Sequence, residues 1–231
     1  MKVVIAIFLV MQSLHANASC VILLHGLART SGSMQKIEQS LHADQYHVIN
    51  VEYPSRHYAI EELSEMAIPS ALKQCSHKEV NFVTHSLGGI MLRQYLSTHD
   101  IPQLNRVVML GPPNQGSEVV DRMRDVPGFA FINGKAGLQL GTNQDSVPNR
   151  LGKAEFDLGI IAGSRSINLI LSLLIPGNDD GKVSIERTKL EGMNDHIVIP
   201  TTHTFMMRNK QVINQISHYL KHGKFTKENK D

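Results

Sequence analysis

The chain has only two cysteines among its 231 residues, and it lacks the residue patterns that hold a metal. There is no His-Glu-x-x-His and no Cys-x-x-Cys. A dinucleotide fingerprint and a P-loop are also missing, so no cofactor and no metal are expected. Charge of one sign is not in excess: 23 Lys and Arg face 21 Asp and Glu, for a net charge of +2. With no basic block, nucleic acid is not an implied partner. The basic stretch at 221–230 reads as a solvated end, with residues 223–231 a polar tail. There is no internal repeat and no low-complexity tract. The apolar run at 3–11 is too short to span a bilayer.

That run has another reading. Met1-Lys2 gives a positive start, and Ala16-Asn17-Ala18 fits a small-x-small cleavage site, so residues 1–18 are expected to be a secretory signal. The alternative is a first buried strand, because residues 3–10 are apolar and rich in β-branched side chains. Export would place the protein in the periplasm or outside the cell. There a pair of cysteines is usually a bridge, and Cys20 and Cys75 each stand before an apolar strand pattern. The competing reading is two free thiols. A chain that is 42% hydrophobic and 19% charged suits one globular domain, expected over residues 19–222 and monomeric.

Short continuous apolar runs alternate with helical spacings. Strands are predicted at 21–24, 46–51, 80–83, 107–110, 158–162 and 197–199. Helices are predicted at 33–43, 60–72, 87–96 and 204–220, the second kinked or ended early by Pro69. This is the pattern of an α/β fold: a mostly parallel central sheet with helices on both faces, and a site at the carboxyl ends of the strands. Residues 114–156 break the alternation. They are rich in Gly, Asn and Pro and read as a weakly structured, lid-like insert. Residues 119–126 and 167–175 are candidate walls of an acyl-binding groove. The second of these could equally be a buried core helix.

The most informative stretch is Val80-Asn81-Phe82-Val83-Thr84-His85-Ser86-Leu87-Gly88-Gly89. An apolar strand ends in a serine flanked by small residues, and a helical pattern follows. This is how a strand–turn–helix nucleophile elbow is written. The turn strains the serine backbone and lifts its hydroxyl to the open end of the sheet, while Gly88 allows close packing of helix on strand. A glycine usually stands two residues before the serine; here Thr84 does.

Four patterns in order give the chain its family resemblance. Leu23-Leu24-His25-Gly26-Leu27, Thr84-His85-Ser86-Leu87-Gly88-Gly89, Gly111-Pro112-Pro113-Asn114-Gln115-Gly116-Ser117 and Gly177-Asn178-Asp179-Asp180-Gly181-Lys182-Val183 follow one another along the chain. Over residues 21–220 the sequence resembles serine esterases and lipases of the α/β-hydrolase superfamily, of the compact bacterial type.

The resemblance implies a set of roles. Ser86 would be the nucleophile, and the acid and then the histidine should follow in chain order. Asp180 aligns with the family's acid and is favoured over its neighbour Asp179. His203, between the last strand and the last helix, is favoured as base over His196, which opens that strand. The backbone N–H groups of Leu27 and Leu87 would form the oxyanion hole, with His25, Gly26 and Gly88 in support. Related lipases can hold a structural calcium near these loops, and Asp179 and Asp195 could serve, although solvated carboxylates are the plainer reading. The implied activity is hydrolysis of acyl esters through an acyl-enzyme, on an ester or lipid substrate with at most transient contact with a lipid surface. An acyltransferase would use the same residues with an acceptor other than water. A non-catalytic binding protein on the same fold is the remaining alternative.

Overall fold

The computed structural model describes residues 19–76 and 78–227. The expected signal at 1–18 and the end of the polar tail lie outside the described residues. Strand β1 (Cys20–Leu24) is buried along its whole length, because it runs between β2 (His47–Val51) and β3 (Val80–His85) with helices over both faces. The sheet continues through β4 (Leu104–Leu110), β5 (Asp157–Gly163) and β6 (Asp195–Ile199). All six strands pair in parallel, in the order β2-β1-β3-β4-β5-β6. A strand covered on both sides must be apolar at every position, which is why these segments read as runs and not as alternation.

Alternate residues of each strand feed two cores. Ile22, Leu24, Phe82, Val107, Met109, Leu158 and Ile160 face one side, where α2 (Ile60–Gln74) and α3 (Leu87–Leu96) cover them. Val21, Leu23, Val83, Val108, Leu110 and Ile161 face the other, under α1 (Gln35–Ala43) and α9 (Lys210–His222). Helix α9 buries the stripe Val212, Ile216, Tyr219 and Leu220. The Asn209 side chain caps its start, and Gly223, at φ +68°, ends it.

Pro69 does not end the second helix. Helix α2 runs on to Gln74. The proline removes one backbone bond, but Ile60, Leu63, Ala67, Ile68 and Ala71 are buried in the core on both sides of it and carry the helix past it. The predicted helix at 204–220 is a short 3₁₀ turn at Met206–Arg208 followed by α9.

The insert has more structure than its composition suggested. It carries α4 (Glu118–Met123), α5 (Phe129–Leu138) and α6 (Val147–Arg150). Helix α5 is kinked at Gly134, whose φ is +64° and where a Cβ would lie 1.7 Å from the Arg56 carbonyl oxygen. The insert is tied to the rest of the fold from beneath by Arg93 of α3. This arginine is 4% exposed. It donates to the backbone oxygens of Asn114 (3.0 Å), Pro148 (3.0 Å) and Gly152 (2.8 Å) and to Asn114 Oδ1 (3.2 Å). Burial lowers its pKa to about 10, which leaves it charged at neutral pH. Four oriented oxygen dipoles take the place of a carboxylate partner.

Cys20 and Cys75 form a disulfide with Cα atoms 5.6 Å apart. Cys20 opens β1 and Cys75 follows α2, so the bridge lies at the amino end of the sheet. Beyond β5, residues 167–175 hold only the four-residue helix α7 (Leu169–Ser172). This is not a buried core helix: Ile170 and Leu173 are 76% and 86% exposed.

Candidate active site

The chain passes from β1 to β2 on one side and from β3 to β4 on the other, so the loops after β1 and β3 part company above the sheet. Ligand sites of open α/β sheets form at such a switch point. Here the gap is closed by glycine. A Cβ on Gly26 would lie 2.7 Å from His85 Nδ1 and 3.3 Å from Ser86 Cβ, and a Cβ on Gly88 would lie 2.6 Å from the Leu24 carbonyl oxygen. Only residues without side chains let the two loops approach this closely.

Ser86 joins β3 to α3 with φ +52° and ψ −118°, a conformation that costs a non-glycine residue on the order of 1–3 kcal/mol. The surrounding fold holds it there. Its N–H donates to the Leu110 carbonyl at 2.9 Å, and its own carbonyl accepts from Gly89 N–H at 3.0 Å. Thr84, in the position usually taken by glycine, fits because Gly89 gives way: a Cβ there would lie 3.1 Å from Thr84 Oγ1.

Asp180 and His203 meet at the end of β5 and β6. Asp180 Oδ2 accepts from His203 Nδ1 at 2.7 Å. The other carboxylate oxygen accepts from the N–H groups of Lys182 (3.0 Å) and Val183 (2.9 Å), and the Asp180 carbonyl accepts from His203 N–H (2.9 Å). Both residues are buried. Asp179 turns the other way. Its Oδ1 accepts from Ser172 Oγ at 2.7 Å and from Gly181 N–H at 2.6 Å, so it ties α7 to the acid loop.

Asp195 lies at the opposite end of the sheet, where it accepts from His196 N–H and Phe225 N–H. The carboxylates considered for calcium are therefore apart, and neither is a solvated loop group. His196, beside Asp195, bonds Oγ1 of Thr188, the last residue of α8 (Ile185–Thr188), at 3.0 Å, far along β6 from the site.

The loop after β1 is braced from β2. The Tyr53 hydroxyl donates to the His25 carbonyl, and Ser55 Oγ accepts from Ala28 N–H at 3.1 Å. The His25 ring stacks on Tyr53 at 3.9 Å and bonds the Gly26 carbonyl through Nδ1 at 2.9 Å. Burial lowers its pKa, so at neutral pH it is an uncharged donor to that carbonyl. Leu27 thus sits in a pinned loop. Leu87 is the first residue of α3, where a helix leaves its N–H groups without internal partners.

Ser86, His85, His203 and Leu27 open into one cavity of about 270 Å³. Val119, Val120 and Met123 of α4, Phe129 and Ile132 of α5, Leu140, and Leu171 of α7 give it apolar walls. Both segments considered for the groove therefore contribute, although Val126 of the first is exposed.

Three supports of this site were not read from sequence. Gly111 has φ +51°, and a Cβ there would lie 2.9 Å from Asp180 Oδ2 and 3.1 Å from His203 Nδ1. His85 is buried beneath His203 and donates through Nε2 to its carbonyl at 3.0 Å. Burial holds its pKa well below the ordinary imidazole value, helped by His203, Arg29 and Lys182. Arg93 is the third, and its signal was a lone cation in an apolar helix.

A parallel sheet of this order with a strained serine at its switch point defines an α/β-hydrolase, a hydrolytic enzyme of the lipase, esterase and thioesterase kind. The model of the palmitoyl protein thioesterase family matches residues 20–155, and the chain belongs to that family. No curated protein sequence matches it. Among solved structures, the mature form of a Bacillus licheniformis lipase superposes with a TM-score of 0.69 at 17% identity, over 88% of this chain and 91% of that one. A phospholipase from Legionella pneumophila gives 0.68 at 15% identity, over 87% and 56%. Aspergillus fumigatus lipase B gives 0.64 at 17% identity, over 89% and 53%. At these identities the likeness is one of fold.

Proposed function

We propose that the protein is an exported serine hydrolase of acyl esters and thioesters, with Ser86 as nucleophile, His203 as base and Asp180 as the acid that orients it. The observation that carries this reading is the 2.7 Å Asp180–His203 pair, opening with Ser86 onto one apolar cavity. Asp180 Oδ2 accepts the hydrogen bond of Nδ1–H, which keeps that proton on Nδ1 and leaves Nε2 to receive the proton of Ser86. The hydroxyl then attacks the acyl carbonyl. The tetrahedral oxyanion is held by the N–H groups of Leu27 and Leu87, each contributing about 3–4 kcal/mol to barrier lowering. His203 returns the proton to the leaving alcohol or thiol, and water repeats the sequence on the acyl-enzyme. The apolar walls suit an acyl chain, and the family adds thioesters to the esters expected from sequence. A fluorophosphonate probe is expected to label the protein at Ser86, and Ser86→Ala is expected to abolish labelling. Labelling that persists in the variant would overturn the assignment.

The disulfide supports export, since such bridges persist in oxidising compartments. Mature protein is expected to begin at Ser19 with the bridge closed. Its loop of 55 residues should contribute about 4 kcal/mol to stability. The bridge lies at the far end of the sheet from Ser86, so reduction should lower Tm more than it lowers activity below Tm. Mass spectrometry of exported protein and paired melting and rate measurements check this. Retained residues 1–18, or two thiols that alkylate in the native protein, would argue against it.

A further inference from the structure

The cavity has two chemically distinct sides. Its apolar wall comes mainly from the insert, through α4, α5 and Leu140. Facing it are the loops after β1 and β5, which place Arg29 and Lys182 among the lining residues. Both are solvent-exposed at the mouth. Neither takes part in an ion pair among the described residues, although ten other basic or histidine side chains, besides His203, have a carboxylate within 4.0 Å.

The two cations also act on each other and on the site. The Lys182 ammonium is crowded enough by protein that desolvation lowers its pKa, although the side chain as a whole is exposed. The Arg29 charge pulls the same way, and Asp180 partly offsets both. The same two charges contribute to the lowered proton affinity of His85 beneath the serine turn. Two like charges lining one cavity, neither within 4.0 Å of a carboxylate, repel one another in the free protein, and an anion bound between them removes that cost. A guanidinium fork and an ammonium together match a tetrahedral anion: the fork binds two oxygens and the ammonium a third.

We propose that Arg29 and Lys182 form an anion subsite on the leaving-group side of the cavity, so that the preferred substrates are acyl esters or thioesters whose leaving group carries a phosphate. This rests on the hydrolase reading above and names the substrate class within it. The acyl chain lies against the insert, and the phosphate-bearing alcohol or thiol departs past the two cations. A glycerophospholipid and a phosphate-bearing thioester such as an acyl-coenzyme A share this chemistry.

Binding separates the subsite from catalysis. Ser86→Ala protein is titrated calorimetrically with decanoyl lysophosphatidic acid and with monodecanoylglycerol, both below their micelle concentrations. The phosphate-bearing ligand is expected to bind at least about ten-fold more tightly, and less so as salt rises. Adding Arg29→Gln and Lys182→Gln together should erase the preference, and Lys182→Arg alone should keep it. Decanoyl-coenzyme A against decanoyl-N-acetylcysteamine repeats the comparison for thioesters, and the larger preference identifies the source. Equal affinities in the parent, or a preference that survives the double substitution, overturn the proposal. Turnover of both esters by the unsubstituted enzyme is recorded alongside: its absence would sink the hydrolase reading and leave the binding result standing.

Discussion

His203→Ala is expected to lower kcat/KM on a chromogenic ester by about 10⁴–10⁶-fold, and His196→Ala by less than about three-fold. The difference follows from placement, since both residues belong to the same late stretch of chain. His203 is buried at the carboxyl end of the sheet with Nδ1 on Asp180 and its backbone locked at both ends, the N–H on Asp180 and the carbonyl on His85. His196 is near the start of β6 and bonds Thr188. Loss of the base leaves only the binding and oxyanion contributions, which still exceed the uncatalysed rate. A damaging His196→Ala beside a mild His203→Ala would show that the late loops act otherwise than proposed.

The second large effect separates two adjacent carboxylates. Asp180→Asn is expected to cost about 10⁴ in kcat, because an amide facing Nδ1 favours the tautomer that cannot take a proton from Ser86. Asp179→Asn is expected to cost less than about ten-fold. Its Oδ1 accepts from Ser172 and from Gly181 N–H, and an asparagine oxygen can accept both bonds. Steady-state rates of the two variants, with melting curves to show that each folds, decide the matter. Equal losses would mean that the loop as a whole, and not one carboxylate, is what matters.

The parts of this site legible in sequence are those set by local constraint. The turn at Ser86 needs small residues at Gly88 and Gly89, and the glycines announce it. The strands are legible because burial on two faces forces continuous apolar runs. What escaped detection depends on residues distant in the chain. Nothing around Gly111 says that the space its side chain would fill belongs to Asp180 and His203, from 69 and 92 positions later. His85 could be read only as packing until the carbonyl of His203 was in place above it. The early end considered at Pro69 does not occur because propensity is local, whereas the face that carries α2 across it is tertiary. The insert misled through composition. Its glycines and asparagines mark turns between short helices that are held by distant groups, such as Gln139 bonding Ile60 N–H and Glu61. The apolar run at 167–175 left its environment open, since sequence alone does not distinguish a buried stripe from one that faces outward beside a cavity.

The buried guanidinium of Arg93 couples the turn at Ser86 to the insert that walls the cavity. Arg93 lies on the helix that begins beside Ser86, and its four acceptors lie at both ends of the insert. Local opening of the insert would strip a protonated side chain of all its partners at once, so partial opening is penalised more than the small helices α4, α5 and α6 would suggest. Amide protons of the insert should then exchange with solvent at rates that follow those of α3, and not at the fast rates usual for a long connection. Variation in the insert's exposed residues leaves this coupling intact, so the walls of the cavity can diverge among relatives without loosening the serine.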